Sequence, residues 1–481
     1  MRAGVALALL LAVLAPWCAA AESDAREVAP TAAPSIPSGL TRAVRAHMEF
    51  LASDALQGRG SGTEYEHKAA EYVAAKLRQY GLQPPAPGGY IQEIRLEMPQ
   101  PAAPPVLSLR TSAGEVQWTH GREIVVVRLA AAEISGPLQK IDASKSSELP
   151  RLERGAFVLL TPATQPGAPP MWKQSSELME RGAAAVLLAK SAAGKLWDAR
   201  RKSLPKVGLR LEGEGKPLTG ERTEVLLGDD AAKVVARLPD GAPLRLHTQL
   251  QPAEKERTWN VLGVLPGSDP KLRDEVVLLS AHLDHVGIGK PVAGDKIYNG
   301  ADDNASGVAV VLELARALAA GPRSKRTLMF AFFGSEEKGG LGSTSFRERP
   351  PVPLERIVAN LQFEMLGRPD NSIGENTLWL TGYERSDLGP ALAAHGARLV
   401  ADPHPEQNFF ERSDNYVLAK KGVVAHTVSS YGMHSDYHQP SDEVEKINFD
   451  HLARAIASLV GPVQWLANSD FRPQWVKGRS P

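Results

Sequence analysis

Four short apolar runs, at residues 276–279, 327–333, 358–365 and 423–428, limit the fold of this chain more than any other feature. Each is long enough for a strand and too short for a stable helix. The first two are apolar at nearly every position and the other two at most positions, so both faces must be covered. Between the first two, Val308, Val311, Leu312, Ala315 and Leu318 recur at helical spacing. Buried strands alternating with helices predict an α/β fold with a mainly parallel mixed sheet sandwiched by helices. Leu378-Trp379-Leu380 supplies a further short strand. Open sheets of this kind bind ligands beyond the carboxyl ends of their strands. The residues that follow each run therefore carry the functional expectation.

Those residues are of one chemical type. The first run leads into Ala281-His282-Leu283-Asp284-His285, and the loop beyond it into Gly300-Ala301-Asp302-Asp303-Asn304-Ala305-Ser306-Gly307. The second leads into Gly334-Ser335-Glu336-Glu337, the third carries Glu364, and the last is followed by His434 and His438. Imidazoles mixed with carboxylates, without thiolates, suit zinc or another borderline divalent ion. Taken singly, each has a structural explanation. A lone His282 is more often a satisfied core histidine, Asp302-Asp303-Asn304 can cap a helix, and the remaining groups can be solvated. Glu364 is harder to dismiss, because a carboxylate ending a buried strand needs a partner. Four strand ends that present metal-binding groups at one sheet edge outweigh the separate explanations.

The rest of the 481 residues bounds the function further. The length suggests two to three compact units. The 55 Lys and Arg balance 55 Asp and Glu, which removes the electrostatic case for a nucleic-acid partner or a polybasic membrane surface. Cys18 is the single cysteine, so intramolecular disulfides and thiolate zinc sites are excluded. Residues 1–21 read as a secretory signal peptide, with Met1-Arg2, an apolar run over 3–15 and an Ala19-Ala20-Ala21 cleavage pattern. Trp17 before Cys18 disfavours lipoprotein processing. An exported protein, periplasmic or secreted and without stable membrane insertion, follows from that reading.

Residues 22–39, rich in Ala, Pro and Ser, read as a flexible leader. Residues 40–110 form the first part of the main unit. There a capping box, Thr63-Glu64-Tyr65-Glu66, opens a helix that Gly81 stops, and a Pro-rich stretch with short strand-like pieces follows. Residues 111–252 show no convergent set of chemically active side chains. They read as a smaller inserted α/β or β-rich domain, with strands at 156–160 and 184–188 around a helix near 177–181. Residues 253–470 complete the main unit, and 471–481 form a tail.

The set His-x-Asp, Gly-Ala-Asp-Asp-Asn-Ala-Ser-Gly, Gly-Ser-Glu-Glu, a later strand-end acid and Tyr-His-Gln-Pro-Ser-Asp resembles the co-catalytic di-zinc metallopeptidases of clan MH. That group includes bacterial secreted aminopeptidases and glutamate carboxypeptidases, with transferrin receptors and glutaminyl cyclases as inactive or single-zinc relatives. The resemblance is strong from Asn260 to about Leu466 and weaker from Leu40 to Tyr80. In the weaker part, Gly58-Arg59-Gly60-Ser61-Gly62-Thr63 looks like the opening of many bacterial members. The insert loosely resembles a protease-associated domain.

The resemblance implies a zinc exopeptidase fold and two Zn2+, or other divalent ions. Asp303 would bridge both ions, with His282 and Glu364 completing one site and Glu337 and His438 the other. Asp284 would orient His282, and Glu336 would be the general base for a metal-activated water. The implied activity is removal of N-terminal residues from peptide substrates. The alternative exopeptidase is of the glutamate carboxypeptidase type, with Arg385 or Arg412 holding a carboxylate. A receptor-like binding protein would have lost ligands that this chain keeps. Three departures stand out. Glu364 occupies a place where many relatives carry Asp, and His434 offers a spare imidazole. Phe410 stands three residues before Ser413-Asp414, where one branch has Tyr, so Arg412, Tyr383 and Tyr431 have no carried-over role.

Overall fold

A computed structural model describes residues 35–85, 87–112, 114–144, 151–166, 168–212 and 223–481. The signal-peptide segment 1–21 and most of the leader lie outside the described residues.

Nine strands form the sheet that carries the expected site. In chain order they are β1 (Ile91–Pro101), β2 (Arg210–Leu211), β3 (Leu250–Leu265), β4 (Val276–His282) and β5 (Thr327–Phe333). β6 (Ile357–Phe363), β7 (Leu378–Leu380), β8 (Leu399–Ala401) and β9 (Ala425–Ser429) complete them. Their spatial order is β8-β7-β9-β6-β4-β5-β3-β1-β2. β9, β6, β4 and β5 run parallel at the centre, whereas β7 meets β9, and β3 meets both β5 and β1, in antiparallel register. The fold is thus mixed α/β with a parallel middle.

The Pro-rich stretch holds a longer strand than its composition suggests. β1 pairs with β3 from Ile91 opposite Val261 to Pro101 opposite Leu250, and the register shifts between Met98 and Gln100. Pro99 sits in that irregularity, where no ladder N–H is required of it.

The apolar runs are explained by what covers each face. Along β4, Val277, Leu279 and Ala281 join one core, while Val276 and Leu278 join another on the opposite side. The first core is shared with α1 (Leu40–Leu51), α2 (Glu64–Gln79), α3 (Gly307–Ala320) and, at the end of the chain, the helix Phe449–Asn468. The expected amphipathic stripe on α3 underestimates its burial. Every residue from Gly307 to Ala315 is buried, including Glu313, which pairs with His47 at 3.1 Å and Arg316 at 2.8 Å.

The expected capping box at α2 is half present. Thr63 Oγ1 accepts the Tyr65 N–H, but the Glu66 carboxylate does not return to Thr63. It accepts instead from Gly62 N, Thr258 Oγ1 and Ser335 N at 2.7, 2.7 and 2.9 Å, which ties α2 to the turn after β5.

Residues 106–247 supply a second nine-stranded sheet. Its middle strands, Phe157–Thr161, Ala185–Ala189 and Glu224–Leu227, run parallel between two apolar cores. The chain leaves the first sheet at the end of β1 and returns at the start of β3; among the described residues of that span, only β2 adds to the first sheet. Among the described residues no helix is long and apolar enough to cross a membrane.

Candidate metal centre

The central strands deliver side chains to one edge of the sheet. β4 ends on His282, β5 runs into the Glu336-Glu337 turn, and Glu364 directly follows β6. The segment after β9 brings His438. Between β4 and α3, the loop of residues 300–306 is pressed against these strand ends. A Cβ on Gly300, which sits at φ 59°, would lie 2.2 Å from the Asp303 carbonyl oxygen and 2.4 Å from Cδ2 of His285. One on Gly307 would lie 2.3 Å from the Phe363 carbonyl oxygen. Only glycine permits either approach.

The polar residues of that loop are fixed one by one. The Asp442 carboxylate accepts the N–H groups of Asp302 and Asp303, each at 3.0 Å. Asn304 donates to the Phe363 carbonyl at 2.9 Å and accepts from Gly307 N and Met365 N. These bonds account for the Asp-Asp-Asn run more fully than helix capping does. They also explain the Ser-Asp that closes the Tyr-His-Gln-Pro-Ser-Asp motif, a holding role the sequence reading did not give to Asp442.

Asp303 lies at the middle of the resulting cluster. Its Oδ1 is 3.2 Å from His282 Nε2, and its Oδ2 is 3.1 Å from His438 Nε2 and 3.8 Å from His285 Nδ1. Glu337 places Oε1 2.8 Å from His285 Nδ1 and Oε2 3.1 Å from His438 Nε2. Two groups result: His282, Asp303 and Glu364, and His285, Asp303, Glu337 and His438, with Asp303 common to both. The potential ligand atoms of each group lie within 4.8 Å of one another. The five residues expected from the sequence come together, and His285 joins them. His434 does not: its Nε2 bonds the Asp302 carboxylate at 2.9 Å, outside both groups.

The donor set fits a metal. His282 Nε2, Asp303 Oδ1 and Glu364 Oε2 are buried without hydrogen-bond partners, and nitrogen and oxygen donors of this kind suit zinc. One nearby cation, buried Arg59, donates to the carbonyls of Leu51, Leu283, Asn299 and Gly300. It therefore braces the loops around the centre and pairs directly with no carboxylate there. Carboxylates crowded and buried in this way need a compensating cation.

Asp284 differs from its expected geometry. Its main-chain carbonyl oxygen, not its carboxylate, is the partner of His282 Nδ1 at 3.2 Å; the carboxylate is 3.9 Å away. That carboxylate is taken up by the N–H groups of Glu336 and Glu337, at 2.9 and 3.2 Å, and by the Ser61 hydroxyl. The turn after β5 brings two main-chain donors within its reach, so it fixes the turn.

Burial, opposed by His282 and reinforced by Glu364 and Asp414, raises the Glu336 carboxyl well above the usual range. Burial likewise pushes Glu364 up to about 7. Burial opposes a charged His438, but its bonds to Asp303 and Glu337 carry it up to about 10.

An open-sided cleft adjoins the cluster, and Glu336, Trp379, Phe409, Arg412, Tyr431 and Tyr437 are among its walls. Of the residues without a carried-over role, Tyr431 and Arg412 line this cleft. Tyr383 packs on the first core, and Arg385 stacks over Phe410 at 4.6 Å. Phe410 itself is buried in the second core, so the cleft takes Phe409 instead.

A mixed α/β sheet with a parallel centre thus carries, at its strand ends, two groups of His, Asp and Glu side chains that could hold metal ions. Residues 260–461 match the model of peptidase family M28. Aminopeptidase YwaD of Bacillus subtilis is 21% identical over 88% of this chain and 85% of its own length. The probable lipoprotein aminopeptidase LpqL of Mycobacterium tuberculosis is 27% identical over 49% of this chain, and the chain spans 42% of that relative. Among solved structures, an aminopeptidase from Aneurinibacillus sp. strain AM-1 is 19% identical, with a TM-score of 0.47 over 92% of this chain and 96% of its own.

Proposed function

We propose that this protein is an exported, zinc-dependent aminopeptidase that hydrolyses N-terminal residues from peptides. The observation that carries the reading is Asp303, shared between two donor groups at the rim of an open-sided cleft. Two zinc ions are inferred, held by His282, Asp303 and Glu364 on one side and by Asp303, Glu337 and His438 on the other. Zinc there would polarise the scissile carbonyl and activate a water. The chain supplies the rest. Glu336, buried on the cleft wall with an increased hold on protons, takes the proton of the attacking water and passes it to the leaving amine. Asp284 keeps Glu336 and Glu337 in place through their N–H groups. The walls of Trp379, Phe409, Tyr431 and Tyr437 receive the terminal side chain. Several relatives named as aminopeptidases support this choice of end. Export rests on the leading segment, and residues 111–252 are proposed as an insert that serves as lid or spacer.

Arg412 favours a second reading. It is exposed on the cleft wall and stacks on Phe409 at 4.9 Å, where it could hold a substrate carboxylate as a carboxypeptidase requires. Zinc quantification with free-amine, N-blocked and C-blocked peptides separates the two. Cleavage confined to free-amine substrates is the expected result. Release of C-terminal residues from N-blocked peptides, lost in Arg412→Ala, would select the carboxypeptidase.

A further inference from the structure

His285 is the buried imidazole that the five-residue ligand set leaves out. Its ring is fully buried, with Nδ1 2.8 Å from Glu337 Oε1 and 3.8 Å from Asp303 Oδ2. His438 Nε2 stands 3.1 Å from the second oxygen of Glu337 and 3.1 Å from the same oxygen of Asp303. A tetrahedral zinc with bonds of about 2.0 Å separates its ligand atoms by about 3.3 Å. The separations of the two imidazole nitrogens from Asp303 Oδ2 and from the nearer Glu337 oxygen, 2.8 to 3.8 Å, bracket that edge length.

The position of the ring is imposed by its surroundings. The main-chain N–H of His285 donates to the Arg59 carbonyl at 3.2 Å, and Arg59 braces the flanking loops. Gly300 leaves room for the ring where any side chain would strike it. The His438 ring meets it edge-on at 5.4 Å between centroids. His434, by contrast, is engaged by Asp302 and faces a different carboxylate.

We propose that His285, through Nδ1, is a fourth protein ligand in the half of the centre made by Asp303, Glu337 and His438. With four protein donors that half is coordinatively closed, as structural zinc sites are. The half made by His282, Asp303 and Glu364 has three and keeps a position open for water or substrate. The two halves then divide the work, since one anchors the loop and the shared Asp303 while the other acts with Glu336. This rests on the zinc reading given above and deepens it by separating the roles of the two ions.

The deciding experiment is a crystal structure of the full chain loaded with zinc, paired with zinc retention under graded chelator for the native chain, His285→Ala and His285→Asn. The expected result is a zinc within about 2.1 Å of His285 Nδ1. One of the two ions in His285→Ala should also be held more than about 100-fold less tightly, beyond what loss of an orienting partner costs. Zinc bound by Glu337 and His438 with Nδ1 more than about 3 Å away overturns the inference while leaving the zinc reading intact. Unchanged retention of both ions in the variants overturns it as well. Zinc in neither half refutes the zinc reading itself, and this inference with it. Should the variants fold poorly, the distance in the native crystal still decides.

Discussion

The chain builds two nine-stranded mixed sheets with parallel centres, and they handle polarity in opposite ways. In the second sheet the buried positions of the middle strands are all apolar, among them Phe157, Val158 and Leu160 beside Val186, Leu187 and Leu188, then Val225, Leu226 and Leu227. In the first, polar side chains are threaded into the buried strands. Ser280 Oγ bonds Gln362 Oε1 at 2.6 Å, and Asn360 Nδ2 bonds Ser280 Oγ at 2.8 Å. Toward the strand ends that network gives way to His282, Asp303 and Glu364, whose facing atoms have no partner. Buried polar atoms that are satisfied stiffen a sheet, and buried polar atoms left open mark where a ligand completes it. Among the described residues both candidate metal groups belong to the first sheet. The same architecture thus serves as scaffold in one region and as scaffold plus site in the other.

The sharpest way to break this contrast is to remove its shared acid. Asp303→Ala is expected to lose both zinc ions together and to lower peptidase turnover by about 10³-fold or more. Two independently retained ions, measured by elemental analysis, would sever the link between the halves. Glu336→Gln should keep both ions and lose about 10² to 10⁴-fold in turnover, because only the proton acceptor is removed. Turnover at the native rate with full zinc would take Glu336 out of that role.

The second sheet should respond in stability alone. Leu187→Ala, at a fully buried position, is expected to cost about 2–5 kcal/mol in denaturant unfolding. Zinc per folded molecule should stay unchanged, and a loss of zinc would show that the two regions are coupled. The smallest effect concerns His120 of that sheet, whose Nδ1 accepts from Val126 N while Nε2 faces the Ser203 carbonyl. Burial lowers its folded-state pKa, although the bond to Ser203 opposes the shift. The unfolded chain, titrating near 6.5, therefore binds the proton first. Stability contributed by neutral His120 is complete well above that pH and declines as the pH falls through it. His120→Gln should flatten the decline between about pH 7 and 5; an unchanged slope would assign it to other groups.

Much of the site was legible because its parts are local. A run of apolar residues that stops at a histidine or carboxylate marks a strand end whatever the rest of the chain does. Glu364, Glu336-Glu337 and His282 were found in that way. The family resemblance implies their roles, with Asp303 as the shared acid, and in the structure Asp303 is common to both groups. The misreadings are of a different kind. Glu66 has the spacing of a capping box, yet its carboxylate is drawn to Ser335 and Thr258, residues 269 and 192 positions away. Asp284 lies two residues from His282, but its carboxylate meets a turn that arrives from β5. The long β1–β3 pairing was also hidden, because a ladder between residues 91–101 and 250–261 has no signature in either segment alone.

Residue order by itself determined the parallel-centred sheet, the edge at which ligands collect and the kinds of atom gathered there, since strand length, periodicity and donor type are properties of short segments. Tertiary structure alone decided which of the extra histidines faces Asp303. Along the chain His434 is the spare imidazole, but folding brings Arg59 and Gly300 around His285 and Asp302 against His434. Which donors converge on one point depends on contacts between segments that meet only in space.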